Sequence, residues 1–476
     1  MKLPDILLKI SILWALAGFC TPVSAAARPS LPPAPVPKAV VSQAGAAKLY
    51  SPVTVKPAAR TTAAQKTVPR RPPVQPGVRR PVPALLSRYT RQNPASLTPT
   101  LRWRKLLGAV YYLAKFYLPD GTIEGPYKSY VAGCNVTLPK NTMGNVKVRI
   151  QAFNWDDQPV SYIAEGSLYV DPRRQTPLYP VPLTRFNSGN GTTLLYPVYN
   201  WIPVNGASRY IVEVLNTKDV DPRAEADEDQ LLERGRSTGF DWYDDESHMA
   251  PYTMYWRVRA VDSDGRPMGQ FCPPQPMIVD PDQDYEVGTL GDSISHGGGD
   301  LSYSPSDWEY SYQYYLNFDS INLSQSGDTS ETTLERFDQD VLPFSPKYLF
   351  IITGSNSIRD WVSGESVIED LEGIKEKCED NDITPIFLTL PPINPANIKR
   401  AFDEPTSENW QKELKKVNDW VRQQEYHVDL SGVFPENQLL PTKYALDGLH
   451  LNFRGKRLMA REINRFWESL KKQKSL

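Results

Sequence analysis

Residues 286–295 read EVGTLGDSIS, and this stretch decides the fold. The apolar run 287–290 reads as a short strand, and Gly291, Asp292 and Ser293 turn the chain sharply at its carboxyl end. Ligands of open α/β sheets bind outside the carboxyl ends of the strands, so the hydroxyl of Ser293 stands where a nucleophile would work. Gly-Asp-Ser alone is also a common turn, so its weight depends on what the later strands carry.

From residue 282 onward, strands alternate with helices, the pattern of a parallel sheet with helices on both faces. Strands are expected at 287–290, 321–323, 348–353, 383–390 and 427–430, and helices at 365–378, 410–421 and from about 455 to the end. In the last helix Leu458, Met459, Ile463, Phe466, Trp467 and Leu470 recur at helical spacing and would dock on the sheet. The strand ends carry chemistry. The first ends at Ser293, the second runs into Ser326-Gly327-Asp328-Thr329-Ser330, the third into Gly354-Ser355-Asn356, and the fifth is followed by Asp447-Gly448-Leu449-His450. Converging on one crevice, they supply a nucleophile, a base with a carboxylate beside it, and hydrogen-bond donors, the parts needed for acyl transfer.

These four blocks, in this order over about 285–470, resemble the SGNH or GDSL hydrolases, a family of esterases and lipases. The segment 322–330, NLSQSGDTS, looks especially like its thioesterase/lysophospholipase members. The resemblance implies a flavodoxin-like, three-layer α/β domain on a five-stranded parallel sheet. Ser293 would be the nucleophile, His450 the general base and Asp447 its orienting carboxylate. The N–H groups of Ser293 and Gly327 and the amide of Asn356 would form the oxyanion hole. Two departures stand out: Ser357 follows Asn356 where relatives often have Asp, and Ser324 stands where Gly is frequent. No metal or organic cofactor is called for.

An internal repeat precedes this region. Trp103, Gly108, Ala109 and Tyr112 match Trp201, Gly206, Ala207 and Tyr210 at one constant offset, and 148–152 lines up with 256–260. Period-two alternation, as in Tyr210-Ile211-Val212-Glu213-Val214, with turn signals such as Asp264-Gly265, gives two tandem immunoglobulin-like β-sandwiches. Their Trp and Tyr positions read as core rather than as a sugar platform. The second copy, from Trp201 to Tyr210, resembles fibronectin type III-like modules. The expected domains are sandwiches at 101–182 and 183–282 and the hydrolase at 283–476.

Residues 1–25 combine Lys2 and Lys9, an apolar run from 10 to 19 and Val23-Ser24-Ala25, the three parts of a secretory signal peptide. Residues 26–100 hold fifteen Pro, twelve Lys or Arg and no acid, within a chain of net charge −2. They read as an extended basic linker ahead of an acidic body, a spacer or an electrostatic contact with the cell envelope. Export leaves Cys134, Cys272 and Cys378, with no metal-site spacing among Cys and His. Cys378 reads as a buried apolar residue and a Cys134–Cys272 pair stays open. His248 reads as part of a polar loop, His427 as a strand start, and His296, after the nucleophile, as a substrate-contact candidate. The loop 297–315 carries Tyr303, Trp308, Tyr310, Tyr312, Tyr314 and Tyr315, divided between core and pocket entrance.

The reading is therefore a secreted, periplasmic or cell-surface monomeric ester hydrolase that binds no nucleic acid and keeps no membrane span after cleavage. Its substrate would be an acetyl or short-acyl ester of a polysaccharide. A lysophospholipase or thioesterase acting on lipid is the alternative, and a carbohydrate-binding adhesion protein with an inactive hydrolase domain is the reading from another class.

Overall fold

A computed structural model describes residues 81–154, 156–297 and 307–474. The expected signal peptide, the linker up to residue 80 and Tyr303 lie outside the described residues.

The C-terminal part is built on a five-stranded, all-parallel sheet in the order Ile321–Asn322, Val287–Gly291, Tyr348–Ile352, Thr384–Leu388, His427–Val428. The two long central strands are buried at every position, as expected when helices cover both faces of a parallel sheet. Helix Phe453–Lys474 buries Met459, Ile463, Trp467 and Leu470, and the Trp467 ring lies 5.0 Å from that of Tyr348. Helices Gly364–Asp380 and Trp410–Val421 pack against each other and bury apolar stripes that include Val367, Leu371, Leu414 and Val417. The turn after Val287–Gly291 depends on glycine. Gly291 has φ +149°, and a Cβ there would sit 1.8 Å from the carbonyl oxygen of Ile352.

The N-terminal part contains two four-stranded antiparallel sheets with the same connectivity, consistent with β-sandwiches. One orders Ile123–Ser129, Tyr111–Tyr117, Gly144–Phe153 and Ala164–Val170; the other orders Leu231–Ser237, Arg209–Leu215, Met254–Val261 and Gln275–Met277. The repeat is reproduced to the residue. Tyr112 stands opposite Ala152 and Tyr210 opposite Ala260. Trp103 packs on Tyr112 at 5.5 Å and 59°, Trp201 on Tyr210 at 5.2 Å and 52°. The two tyrosine hydroxyls accept equivalent backbone N–H groups, from Leu106 at 2.9 Å and Val204 at 3.1 Å. Both tryptophans are buried, so they belong to the cores.

One expectation changes and one open question closes. The linker does not extend to residue 100, because residues 81–100 pack on the first sandwich: Leu85 bridges Trp103, Ala95 bridges Val170, and Ala95 is fully buried. Ala95 belongs to the core of the first sandwich, and Leu85, Tyr89 and Leu97 pack against it. Cys134, Cys272 and Cys378 are free and buried; Cys134 and Cys272 sit in separate cores and do not pair.

The second sandwich is continuous with the parallel sheet. Leu194 pairs in parallel with Asn322, whose N–H donates to Thr193 O and whose carbonyl accepts from Leu195 N, both at 2.9 Å. The apolar core of this sandwich and that of the α/β part form one cluster. The first sandwich keeps its own core and reaches the α/β part through Lys105, 2.6 Å from Asp307 and 3.1 Å from Glu309, and through Gly108 N–H donating to Tyr310 Oη at 3.2 Å.

Candidate active site

Ser293 opens the short helix Ser293–His296, and Asp292 caps it by accepting from Ile294 N–H at 2.9 Å. The Ser293 hydroxyl lies 2.8 Å from His450 Nε2. On its other side, His450 Nδ1 lies 2.7 Å from Asp447 Oδ2, while Asp447 Oδ1 accepts the backbone N–H groups of Leu449 at 3.0 Å and His450 at 2.9 Å. Burial works against the Asp447 charge, but the neighbouring imidazole and these hydrogen bonds outweigh it and hold its carboxyl below the usual pKa. Gly448 makes the tight turn possible, with φ +97° and a Cβ position only 2.6 Å from Asn394 O. An ionised carboxylate on Nδ1–H leaves Nε2 as acceptor, the tautomer that can take the Ser293 proton.

The three predicted donors also come from the strand ends beside Ser293. Among the described residues, the N–H groups of Ser293 and Gly327 donate to no protein acceptor. Gly327 has φ +98°. Asn356 spends one amide N–H on Asp328 O at 2.8 Å, and Arg359 Nη1 donates to its Oδ1 at 3.3 Å. The oxygen end is thereby fixed toward Arg359, and a second N–H is left over.

Residues 289–458 match the model of the GDSL-like Lipase/Acylhydrolase family. This region is a GDSL-like lipase/acylhydrolase domain. A curated relative, the uncharacterized lipoprotein YqeF of Bacillus subtilis (strain 168), is 36% identical over 89 residues, covering 17% of this chain and 37% of the relative. The chain thus spans little more than a third of that relative's length. Among solved structures, a GDSL-like lipase from Bacteroides thetaiotaomicron is 21% identical, covers 39% of this chain and 88% of its own, and has a TM-score of 0.32. A lipase/acylhydrolase from Enterococcus faecalis is 26% identical over 38% and 94%, with a TM-score of 0.30.

The GDSL-like domain holds its donor loops with groups that the sequence reading did not single out. Arg336 donates Nε to Asp328 Oδ2 at 2.7 Å, Nη1 to Leu323 O at 2.6 Å and to Asp340 Oδ2 at 2.9 Å, and Nη2 to Gly291 O at 3.2 Å. One guanidinium therefore ties the nucleophile strand to the Gly327–Asp328 loop. Tyr196, from the second sandwich, donates its hydroxyl to Asp340 Oδ2 at 2.6 Å. The i, i+4 spacing of Arg336 and Asp340 was the available signal, but it reads equally well as a surface pair.

Among the other histidines, the reading of His296 changes. His296 does not face substrate: it is buried, with Nε2 2.8 Å from Tyr196 O and Nδ1 2.7 Å from Ser326 Oγ. A carbonyl can only accept, so Nε2 carries the proton and Nδ1 accepts from Ser326. Burial drives the His296 pKa down to about 4, in keeping with a neutral ring. His248 sits in the polar loop expected for it and is buried between Asp244 and Glu233. His427 opens the strand His427–Val428 as expected, and its Nδ1 pairs with Gln424 O. Of the loop aromatics, Tyr310 and Tyr312 are core, with Tyr312 Oη 2.9 Å from Ser295 Oγ, whereas Tyr314 is exposed.

Both sequence departures have structural uses. The Ser357 hydroxyl accepts Ser330 N–H at 2.9 Å and so braces the second block, while Ser324 is buried and donates to Thr289 O at 3.3 Å. Beneath the site, Lys456 is fully buried and its ammonium donates to Ile294 O. Burial lowers its pKa to about 7 against the pull of Asp292 and Asp447, and raises that of Asp292 to about 6.

Proposed function

We propose that the chain is an exported serine esterase. The observation that carries this reading is the unbroken line of hydrogen bonds from Ser293 Oγ through His450 to Asp447 at 2.8 and 2.7 Å. His450 Nε2 takes the Ser293 proton as the hydroxyl oxygen attacks the acyl carbon, and Asp447 stabilises the resulting imidazolium. The carbonyl oxygen becomes an oxyanion facing the N–H groups of Ser293, Gly327 and Asn356. The imidazolium returns its proton to the departing alcohol, leaving an acyl-enzyme on Ser293. A water deprotonated by His450 then releases the acid.

The substrate we propose is an acetyl or short-acyl ester on an envelope or extracellular polysaccharide. The signal-like N-terminus, the basic linker and the two sandwich modules support a protein working outside the cell, and among the described residues no helix is long and apolar enough to cross a membrane. The test is hydrolysis of p-nitrophenyl esters from acetyl to long acyl chains, by the full-length protein and by Ser293→Ala. Activity that peaks at acetyl and vanishes in the variant supports the reading. A long-chain optimum turns it toward a lipolytic enzyme, and activity that survives Ser293→Ala refutes the nucleophile.

A further inference from the structure

We propose that Glu233, Asp244 and His248, in the second sandwich, form a binding site for one divalent transition-metal cation, with zinc the best match. This site is separate from the catalytic groups and its role is structural.

The three residues come from different places in the chain. Glu233 is on strand Leu231–Ser237, Asp244 follows strand Asp241–Tyr243, and His248 lies on the segment before Met254–Val261. Their ligand atoms nevertheless converge within 4.8 Å of one another. His248 Nε2 is 2.8 Å from Asp244 Oδ2 and 3.1 Å from Glu233 Oε2. Nε2 carries at most one proton, so it cannot satisfy two carboxylate oxygens aimed at it with two good bonds. Donor atoms of a tetrahedral zinc site, with bonds of ~2.0–2.2 Å, stand roughly 3.3 Å apart, close to the separations already present.

Charge points the same way. Asp244 is buried, and among the described residues neither carboxylate has a Lys or Arg partner. Two carboxylates facing one imidazole leave a buried site short of positive charge, which a divalent cation supplies. An independent sign comes from Tyr199. Its hydroxyl is fully buried beside Asp244 and, among the described residues, has no hydrogen-bond partner of normal geometry. A metal-bound water would give this hydroxyl the partner it lacks. One imidazole nitrogen with two carboxylate oxygens suits zinc or manganese better than a soft, thiolate-seeking metal.

The location gives the cation its role. His248 N–H donates to Leu195 O, on the segment that pairs with the parallel sheet, and Gln325 Nε2 donates to Asp245 O at 3.2 Å. Gln325 stands two residues before Gly327, and its own N–H donates to Gly291 O at 3.0 Å. A cation here would clamp the sandwich against the oxyanion loop.

The test uses the untagged full-length protein, stripped with EDTA, incubated with ZnCl2, MnCl2 or CaCl2, desalted and analysed for metal by mass spectrometry beside its melting temperature. The expected result is one equivalent of zinc retained, weaker retention of manganese, none of calcium, and a melting temperature that rises with zinc. Glu233→Gln and His248→Gln should each lose at least nine-tenths of the retained zinc. Wild-type protein that retains no metal and melts unchanged at every zinc concentration overturns the proposal, as does equal retention by folded variants. The wild-type measurements decide the matter even if a variant fails to fold.

Discussion

Asp447→Asn is the sharpest test of the proposed chemistry, because the structure dictates which way the new amide must point. Asp447 Oδ1 accepts two backbone N–H groups, from Leu449 and His450, and Oδ2 faces His450 Nδ1 at 2.7 Å. An asparagine keeps both backbone bonds only by placing its oxygen at the Oδ1 position, so its NH2 faces Nδ1. Nδ1 must then accept, the imidazole proton moves to Nε2, and Nε2 presents a donor to Ser293 where an acceptor is needed. A triad held in the wrong tautomer loses about 10⁴-fold in kcat, equivalent to about 5.4 kcal/mol of transition-state stabilisation. Asp447 is buried, so water cannot substitute for the lost acceptor. Steady-state hydrolysis of p-nitrophenyl acetate gives kcat, and thermal unfolding shows whether the loop survives. A folded variant within about tenfold of the wild-type kcat would refute the tautomer mechanism.

Asn356→Ala removes one oxyanion donor and should lower kcat by about 10²–10³-fold with little change in KM, read in the same assay. His296 titrates at about 4 when folded against an ordinary 6.5, so its contribution is complete above pH 6.5. As the pH falls toward 4, the unfolded chain takes up a proton that the folded ring refuses, and stability drops by about 3 kcal/mol. Chemical denaturation of wild type and His296→Asn across that range should show the flatter pH dependence in the variant. Tyr112→Phe and Tyr210→Phe each strand one buried backbone N–H, of Leu106 and Val204, at about 1–3 kcal/mol. Similar losses in the two variants would support their equivalence in the repeat, and losses several-fold apart would contradict it.

The proposed catalytic groups were legible because Ser293, Gly327 and Asn356 follow strand ends, which are fixed places in a parallel sheet, and Asp447 and His450 come after the last strand. Five apolar runs and four polar blocks in order, with the resemblance those blocks carry to SGNH hydrolases, pointed to Ser293, Gly327, Asn356, Asp447 and His450 as one site. The repeat was legible for a related reason: Trp103 and Tyr112 are a packing pair, and the same pair recurs at Trp201 and Tyr210. His296 and Arg336 were not legible, because their roles depend on buried partners far away in sequence. Tyr196 O lies 100 residues from His296, and Arg336 reaches Gly291 O from 45 residues away. A side chain that serves carbonyl oxygens leaves no pattern of residue types to read.

The same reason explains why the sequence divided what the structure joins. Ile321–Asn322 is a two-residue strand at the edge of the parallel sheet, and an unpaired edge leaves backbone donors and acceptors open to other chains. Thr193 to Leu195 cover it through main-chain bonds, which any residue type can make. Periodicity therefore changes near residue 282 while the packing does not, and the second sandwich, through Tyr196, reaches both His296 and Asp340 beside the donor loops. The second sandwich thus acts as part of the scaffold that holds Gly327 in place.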